Sequence, residues 1–160
     1  MTKSEIRDIK KELEDILDSK RYEHTLGVAY TAACIAMRYD YNMEKAYIAG
    51  LLHDCAKCMS NKDKIEYCEK HDLPITTVEQ DNPSLLHAKV GAEMSKRKFD
   101  IEDPEIYQAI FYHTTGHPNM TLLDKIIYIA DYMEPHRDEA PNLDLVRKQV
   151  FVDIDMALFT

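Results

Sequence analysis

His53 and Asp54 close the apolar run Ala49-Gly50-Leu51-Leu52. An aspartate at a helix C-terminus opposes the macrodipole, at a cost of about 0.3–1 kcal/mol where exposed. An ionised carboxylate beside buried neighbours also needs a partner. Lys57, three residues on, is one candidate, and a metal shared with the adjacent imidazole is another. Asp131 poses the same problem more sharply. It stands within Ile126-Ile127-Tyr128-Ile129-Ala130-Asp131-Tyr132-Met133, a helix apolar on nearly every side. An unpaired carboxylate there would be costly or neutralised, and a metal or strong cation resolves the conflict. His24 lies on the small-residue face of its helix, and His87 and His113 fall late in apolar stretches or at their ends. Singly, each is explained by a satisfied core histidine, a cap or a salt bridge. Together they place four His and two Asp on or at the ends of apolar helices. Helical domains build metal sites from side chains that face one another in this way. Mixed imidazole and carboxylate ligands suit Fe, Mn, Co or Zn better than Mg or Ca.

Two other spacings carry less. Cys55-Ala56-Lys57-Cys58 has the C-x-x-C form, with no second pair and no βαβ pattern around it. His113 and His117 are four apart, but Gly116 and Pro118 break any helix that would align them.

The elements that must position these residues read as helices almost throughout. Stripes of apolar residues predict helices over about 5–17, with Thr2 and Glu5 at capping-box spacing, over 21–39, and from after Asn42 through His53 and Asp54. Further helices are expected over 60–69, from Asn82-Pro83-Ser84 through Met94, from Asp103-Pro104 to about Thr115-Gly116, and from Thr121 to about Met133. A last amphipathic helix, over about 144–158, is free to pack on the bundle or on a second subunit. The expectation is an all-α bundle of seven or eight helices, with residues 1–160 forming one domain.

The chain has 160 residues, and single cores typically use about 100–200. Only 4 Gly disfavours a turn-rich β fold and a glycine-rich phosphate loop, and 45% hydrophobic residues rule out a disordered chain. A net charge of -9 opposes the balance expected of a nucleic-acid binder. No apolar stretch approaches a membrane span, and the charged N-terminus lacks the apolar segment of a secretory signal. A cytoplasmic location and reduced cysteines are therefore expected.

The order His24 … His53-Asp54 … Asp131 resembles the H…HD…D signature of the HD-domain metal-dependent phosphohydrolases. His87 and His113 resemble the extra ligands of its binuclear members. The flanks Arg21–Val28, His53–Lys57 and Leu86–Ala92 are similar to the YqeK-type group, as is the stretch from Tyr112 through Asp131 to Pro135. The resemblance spans about residues 18–138, with His136 departing where asparagine is expected. It implies an HD-domain helical bundle acting as a symmetrical bis(5'-nucleosyl)-tetraphosphatase, which cuts diadenosine tetraphosphate into two ADP at an iron-containing binuclear centre. Mn, Co or Zn would be compatible with the same ligands.

Carried over position by position, His24, His53, Asp54 and Asp131 would hold one metal. His87 and His113 would hold a second, with Asp54 bridging. Because the protein is acidic, its substrate phosphates need local cations. Lys57 is placed at the reaction centre as well as on substrate, and Lys89, Arg21 and Arg137 are substrate candidates. Thr114, with Thr115 and Gly116, offers hydroxyl and backbone donors. Tyr22, Tyr112, Tyr128 and Tyr132 lie near the ligands, as stacking partners for a base or as ordinary core edges. The expected partners are a dinucleotide and a nucleoside diphosphate product, with no nucleic acid or membrane and with a homodimer left open. Another HD nucleotide phosphohydrolase (a nucleotidase or cyclic-nucleotide phosphodiesterase) and a nucleotide-binding regulatory domain are the alternatives.

Overall fold

A computed structural model describes all residues from Met1 to Thr160. Ten α-helices and one 3₁₀ turn form the chain, with no strand. Helix α1 (Lys3–Ile16) begins on the Thr2/Glu5 capping box, each side chain receiving the other's backbone N–H. It lays Ile9 and Leu13 on α2 (Ser19–Arg38), which is capped by Asp18. The small residues Ala29, Ala32, Ala33 and Ala36 of α2 are buried, and α3 (Met43–Leu52) packs closely along that helix. Gly50 lets the two backbones approach: a Cβ there would stand 2.7 Å from Ala29 Cα.

Helix α4 (Asn61–Lys70) and the short α5 (Thr77–Asp81) lead to the 3₁₀ turn Pro83–Leu85 and α6 (Leu86–Arg97). Helix α7 (Pro104–Phe111) starts with Asp103 as cap and Pro104 in the first turn, where its missing N–H costs nothing. Helix α8 (Leu122–Met133) packs against α2, α3 and α7 and runs through the middle of the bundle. Leu123, Ile126, Ile127, Ile129, Ala130 and Met133 are buried in this packing, whereas Lys125, Tyr128, Asp131 and Tyr132 stay partly exposed. Helices α9 (Leu143–Gln149) and α10 (Ile154–Leu158) pack on α8. Thirty-five buried residues make one contiguous core. No helix is long and apolar enough to cross a membrane.

The all-α expectation holds, with eight of the helices at least 7 residues long, and four details differ. Helix α3 stops at Leu52, so His53 caps it and Asp54 lies in the following turn. Helix α7 ends at Phe111 rather than near Gly116, and His113 lies in a turn. Helix α5 was not anticipated, although Thr76 and Glu79 form a capping box. The single C-terminal helix is two. Asp153 caps α10 by accepting from Asp155 and Met156 N–H, and the Val150 and Phe151 carbonyls between the helices accept from Tyr39 Oη and Arg38 Nε of α2. Tertiary bonds thus satisfy backbone groups that a continuous helix would have used.

Candidate metal centre

The bundle brings His24, His53, Asp54, His87, His113 and Asp131 around one point. His24 comes from the interior of α2, His53-Asp54 from the end of α3, and His87 from the first turn of α6. His113 comes from the turn after α7, and Asp131 from the last turn of α8. Two sets of ligand atoms result, each lying within 4.8 Å of one another: His24, His53, Asp54 and Asp131, and then Asp54, His87 and His113. Asp54 belongs to both sets through different oxygens. Its Oδ2 lies 3.8 Å from His24 Nε2 and 3.3 Å from His53 Nε2. Its Oδ1 lies 3.5 Å from His87 Nε2 and 3.2 Å from His113 Nε2. Asp131 Oδ1 completes the first set, 2.9 Å from His24 Nε2 and 3.5 Å from His53 Nε2.

Every imidazole is turned the same way. Nδ1 of His53, His87 and His113 donates to the carbonyls of Gly50, Ser84 and Ile110, each at 2.7 Å. Nδ1 of His24 donates to Glu134 Oε2 at 2.6 Å. A carbonyl or carboxylate can only accept, so Nδ1 carries a hydrogen in all four rings, and Nε2 is the nitrogen turned inward toward Asp54 and Asp131. Metal-binding histidines are oriented by such bonds on their other nitrogen.

Burial and mutual charge act on Asp54, Asp131 and His53 in opposite senses. Burial pushes Asp54 up, but the charge and hydrogen bonds of His53 and His113 outweigh it and hold the carboxyl well below its usual range. Burial is likewise overcome at Asp131, which His24 and His53 hold down. His53 is pushed up to about 10 despite burial, by Asp54 first and then Asp131. His87 is pushed down to about 4 by burial and by His113.

The donor set fits a transition metal. His53 Nε2 is fully buried and makes no hydrogen bond, and the Nε2 atoms of His87 and His113 face each other at 3.2 Å. A buried polar nitrogen without a partner is costly, and a cation shared by these nitrogens and the facing carboxylates removes the cost. Nitrogen and carboxylate ligands in this mixture match Fe, Mn, Co or Zn.

The substrate candidates fall into different places. Arg21 Nη1 bonds Asp54 Oδ2 at 2.9 Å, and Arg137 Nη2 bonds the Asp131 carbonyl at 2.9 Å and lies 3.5 Å from its Oδ1. Both guanidinium groups remain partly exposed on a polar cleft of ≈ 530 Å³ that His24, Glu134 and His136 also line. Lys57 is half-buried in the turn after Asp54, with no carboxylate partner, and its charge acts on His87. Thr114 is exposed in the turn that carries His113.

Lys89 is not among them. Its Nζ bonds Glu79 Oε1 at 2.8 Å and the Pro74 carbonyl, with 7% of its side chain exposed, so it ties down the segment before α6. Burial of Glu79 is outweighed by Lys89 and Thr76, which hold its carboxyl below the ordinary value. That contribution to stability is present above the usual glutamate range and lost as pH falls through the lowered value. Lys89→Met is expected to cost on the order of 3 kcal/mol in thermal or urea unfolding and to leave kcat/KM per folded molecule unchanged. A lower kcat/KM with unaltered stability would return Lys89 to the substrate.

The sequence did not reveal Glu134, which is 1% exposed and bonded to His24. Its only signal was a glutamate before the proline that ends α8. His117 bonds Asp124 at 2.6 Å, away from Asp54, and helps fasten the turn to α8. Cys55 is buried against the Gly91 carbonyl with its thiol pushed up to about 12 by burial, whereas Cys58 is exposed beside Asp18, so the C-x-x-C spacing is not a redox pair.

An all-helical bundle that gathers a His-Asp pair with four further His and Asp ligands defines a class, and the family model for the HD domain matches residues 21–135. The chain belongs to the HD-domain family, in its YqeK-type group. It is 42% identical over 142 residues to the symmetrical bis(5'-nucleosyl)-tetraphosphatase of Bacillus subtilis (strain 168), covering 89% of this chain and 75% of that one. The enzyme of the same name from Halalkalibacterium halodurans is 39% identical over 144 residues, covering 90% and 76%. The crystal structure of a predicted HD superfamily hydrolase involved in NAD metabolism from Clostridium acetobutylicum superposes with a TM-score of 0.91 at 43% identity, covering 96% of this chain and 80% of that one.

Proposed function

We propose that residues 1–160 act as one HD-type hydrolase domain that cuts diadenosine tetraphosphate symmetrically into two ADP, at a binuclear transition-metal centre with iron the first choice. His24, His53, Asp54 and Asp131 would hold one ion, and Asp54, His87 and His113 the other. When bound, such ions acidify water and draw charge from phosphate oxygens.

The chain's own groups do the rest. Asp54 offers one oxygen to each set and so fixes their separation. Arg21 and Arg137 already lie against Asp54 and Asp131 and keep edges open to the cleft. A guanidinium with spare donors on such an edge suits a phosphate oxygen. At the opposite side, Lys57 has no carboxylate to neutralise it and stands by His87. We assign it to the phosphate that departs as part of ADP, where its charge offsets the developing negative charge. Thr114 is positioned in the His113 turn to add a hydroxyl donor.

The observation that carries this reading is the split of Asp54, Oδ2 to one histidine set and Oδ1 to the other. The names of the relatives supply the substrate. Anion-exchange analysis of the protein incubated with diadenosine tetraphosphate and added metal tests it. ADP as sole product is expected. ATP with AMP would reject the symmetrical regiochemistry, and no product from metal-loaded protein would reject the substrate.

A further inference from the structure

Three of the four imidazoles at the centre sit where a helix begins or ends, and each bonds a carbonyl three residues earlier. His24 cannot do so. It lies inside α2, where each carbonyl is taken by the N–H four residues on. Its Nδ1–H therefore needs a partner from another element, and Glu134 at the end of α8, 110 residues away, supplies a buried carboxylate. The second oxygen of that carboxylate, Oε1, accepts from His136 N–H at 2.7 Å and from His136 Nδ1 at 2.9 Å. Space for it comes from α2 as well. A Cβ on Gly27, one turn beyond His24, would stand 2.4 Å from Glu134 Oε1.

We propose that Glu134 is a positioning residue for His24: it fixes the imidazole with hydrogen on Nδ1 and Nε2 turned to Asp54 and Asp131, and Gly27 is side-chain-free to admit it. The proposal uses the metal-centre reading only for what His24 is held to do. A carboxylate is required because both oxygens face donors. Glutamine can satisfy His24 or the His136 N–H, and its amide would confront the other. The charge also sets His24 apart, since the other three imidazoles bond neutral carbonyls. His24 should be the most electron-rich nitrogen donor of the set.

The test compares the unsubstituted protein, Glu134→Gln, Gly27→Ala and His136→Ala. Nitrogen-15 long-range NMR on chelator-treated protein reports whether His24 Nδ1 carries hydrogen, Mn²⁺ titration followed by EPR reports binding, and circular dichroism reports the fold. Glu134→Gln is expected to deplete hydrogen at His24 Nδ1 and to weaken one Mn²⁺ site about 10–100-fold, sparing the other. Gly27→Ala should do the same with the glutamate intact, because the new Cβ displaces the carboxylate. His136→Ala leaves the Oε2 bond untouched and should change neither readout. Hydrogen retained at His24 Nδ1 with unaltered Mn²⁺ binding in both Glu134→Gln and Gly27→Ala would overturn the proposal. If the unsubstituted protein bound no Mn²⁺, the metal-centre reading would fail, and the Nδ1–H comparison would still decide the role of Glu134.

Discussion

Asp54→Ala is expected to abolish turnover and leave the purified protein without metal at either set of ligands. The loss should far exceed the roughly 10–100-fold typical of a group that only supports a metal ligand. The reason is the sharing of one carboxylate. Oδ2 lies 3.3 Å from His53 Nε2 and Oδ1 3.2 Å from His113 Nε2, so one substitution takes an oxygen from both sets. It also unpairs Arg21, whose Nη1 lies 2.9 Å from Oδ2, and removes the charge that most raises His53. His53 should then lose its proton more readily, and the arginine should swing toward solvent. Asp54→Asn refines the result. An amide keeps one oxygen and turns a donor toward the other set, so it is expected to retain at most one metal per chain. Elemental analysis of both variants, with circular dichroism to show an intact bundle, measures this outcome. Full activity in Asp54→Ala would sink the whole metal-centre assignment.

Gly50→Ala is expected to give a large loss of stability. The added Cβ would meet Ala29 Cα at 2.7 Å, Ala29 N at 3.0 Å and the Val28 carbonyl at 3.2 Å. All three are backbone atoms of α2, which no rotamer change can move aside. Overpacking a core typically costs about 1–3 kcal/mol, and a rigid backbone contact belongs at the upper end. For a domain of this size, that is a fall in Tm of roughly 5–10 °C. Function should fall further than stability. His53 Nδ1 bonds the Gly50 carbonyl, so moving α3 off α2 moves the His53 ring away from Asp131 and His24. Gly91→Ala is the matching control. Its Cβ would find Cys55 Sγ at 3.5 Å, an ordinary contact, inside helix α6. Alanine is favoured over glycine inside a helix by about 0.5–1 kcal/mol, so this variant should be slightly stabilised. Thermal melts of both proteins check the opposite signs.

The sequence by itself determined the helical class, most helix starts and the residues that had to meet. Those properties are local. A capping box such as Thr2 with Glu5, or the Asp103-Pro104 start of α7, acts within one turn. That Asp131 needs a partner could be read from its apolar neighbours, although its side chain keeps 23% exposure, and a carboxylate in such surroundings without a local partner demands a distant one. The demand was legible, but how it is met was not. Only the tertiary structure decided that Asp54 faces two sets of histidines with different oxygens, and that Glu134 reaches His24 across 110 residues. It also decided that Lys89 is taken by Glu79 while Lys57 carries no carboxylate partner, although the sequence offered both lysines to the substrate. The break between α9 and α10 belongs here too, because Tyr39 and Arg38 claim carbonyls that local periodicity assigned to a continuous helix. Helix signals extend over about four residues, whereas the partner of a buried polar group is whatever the packed bundle places within hydrogen-bonding distance.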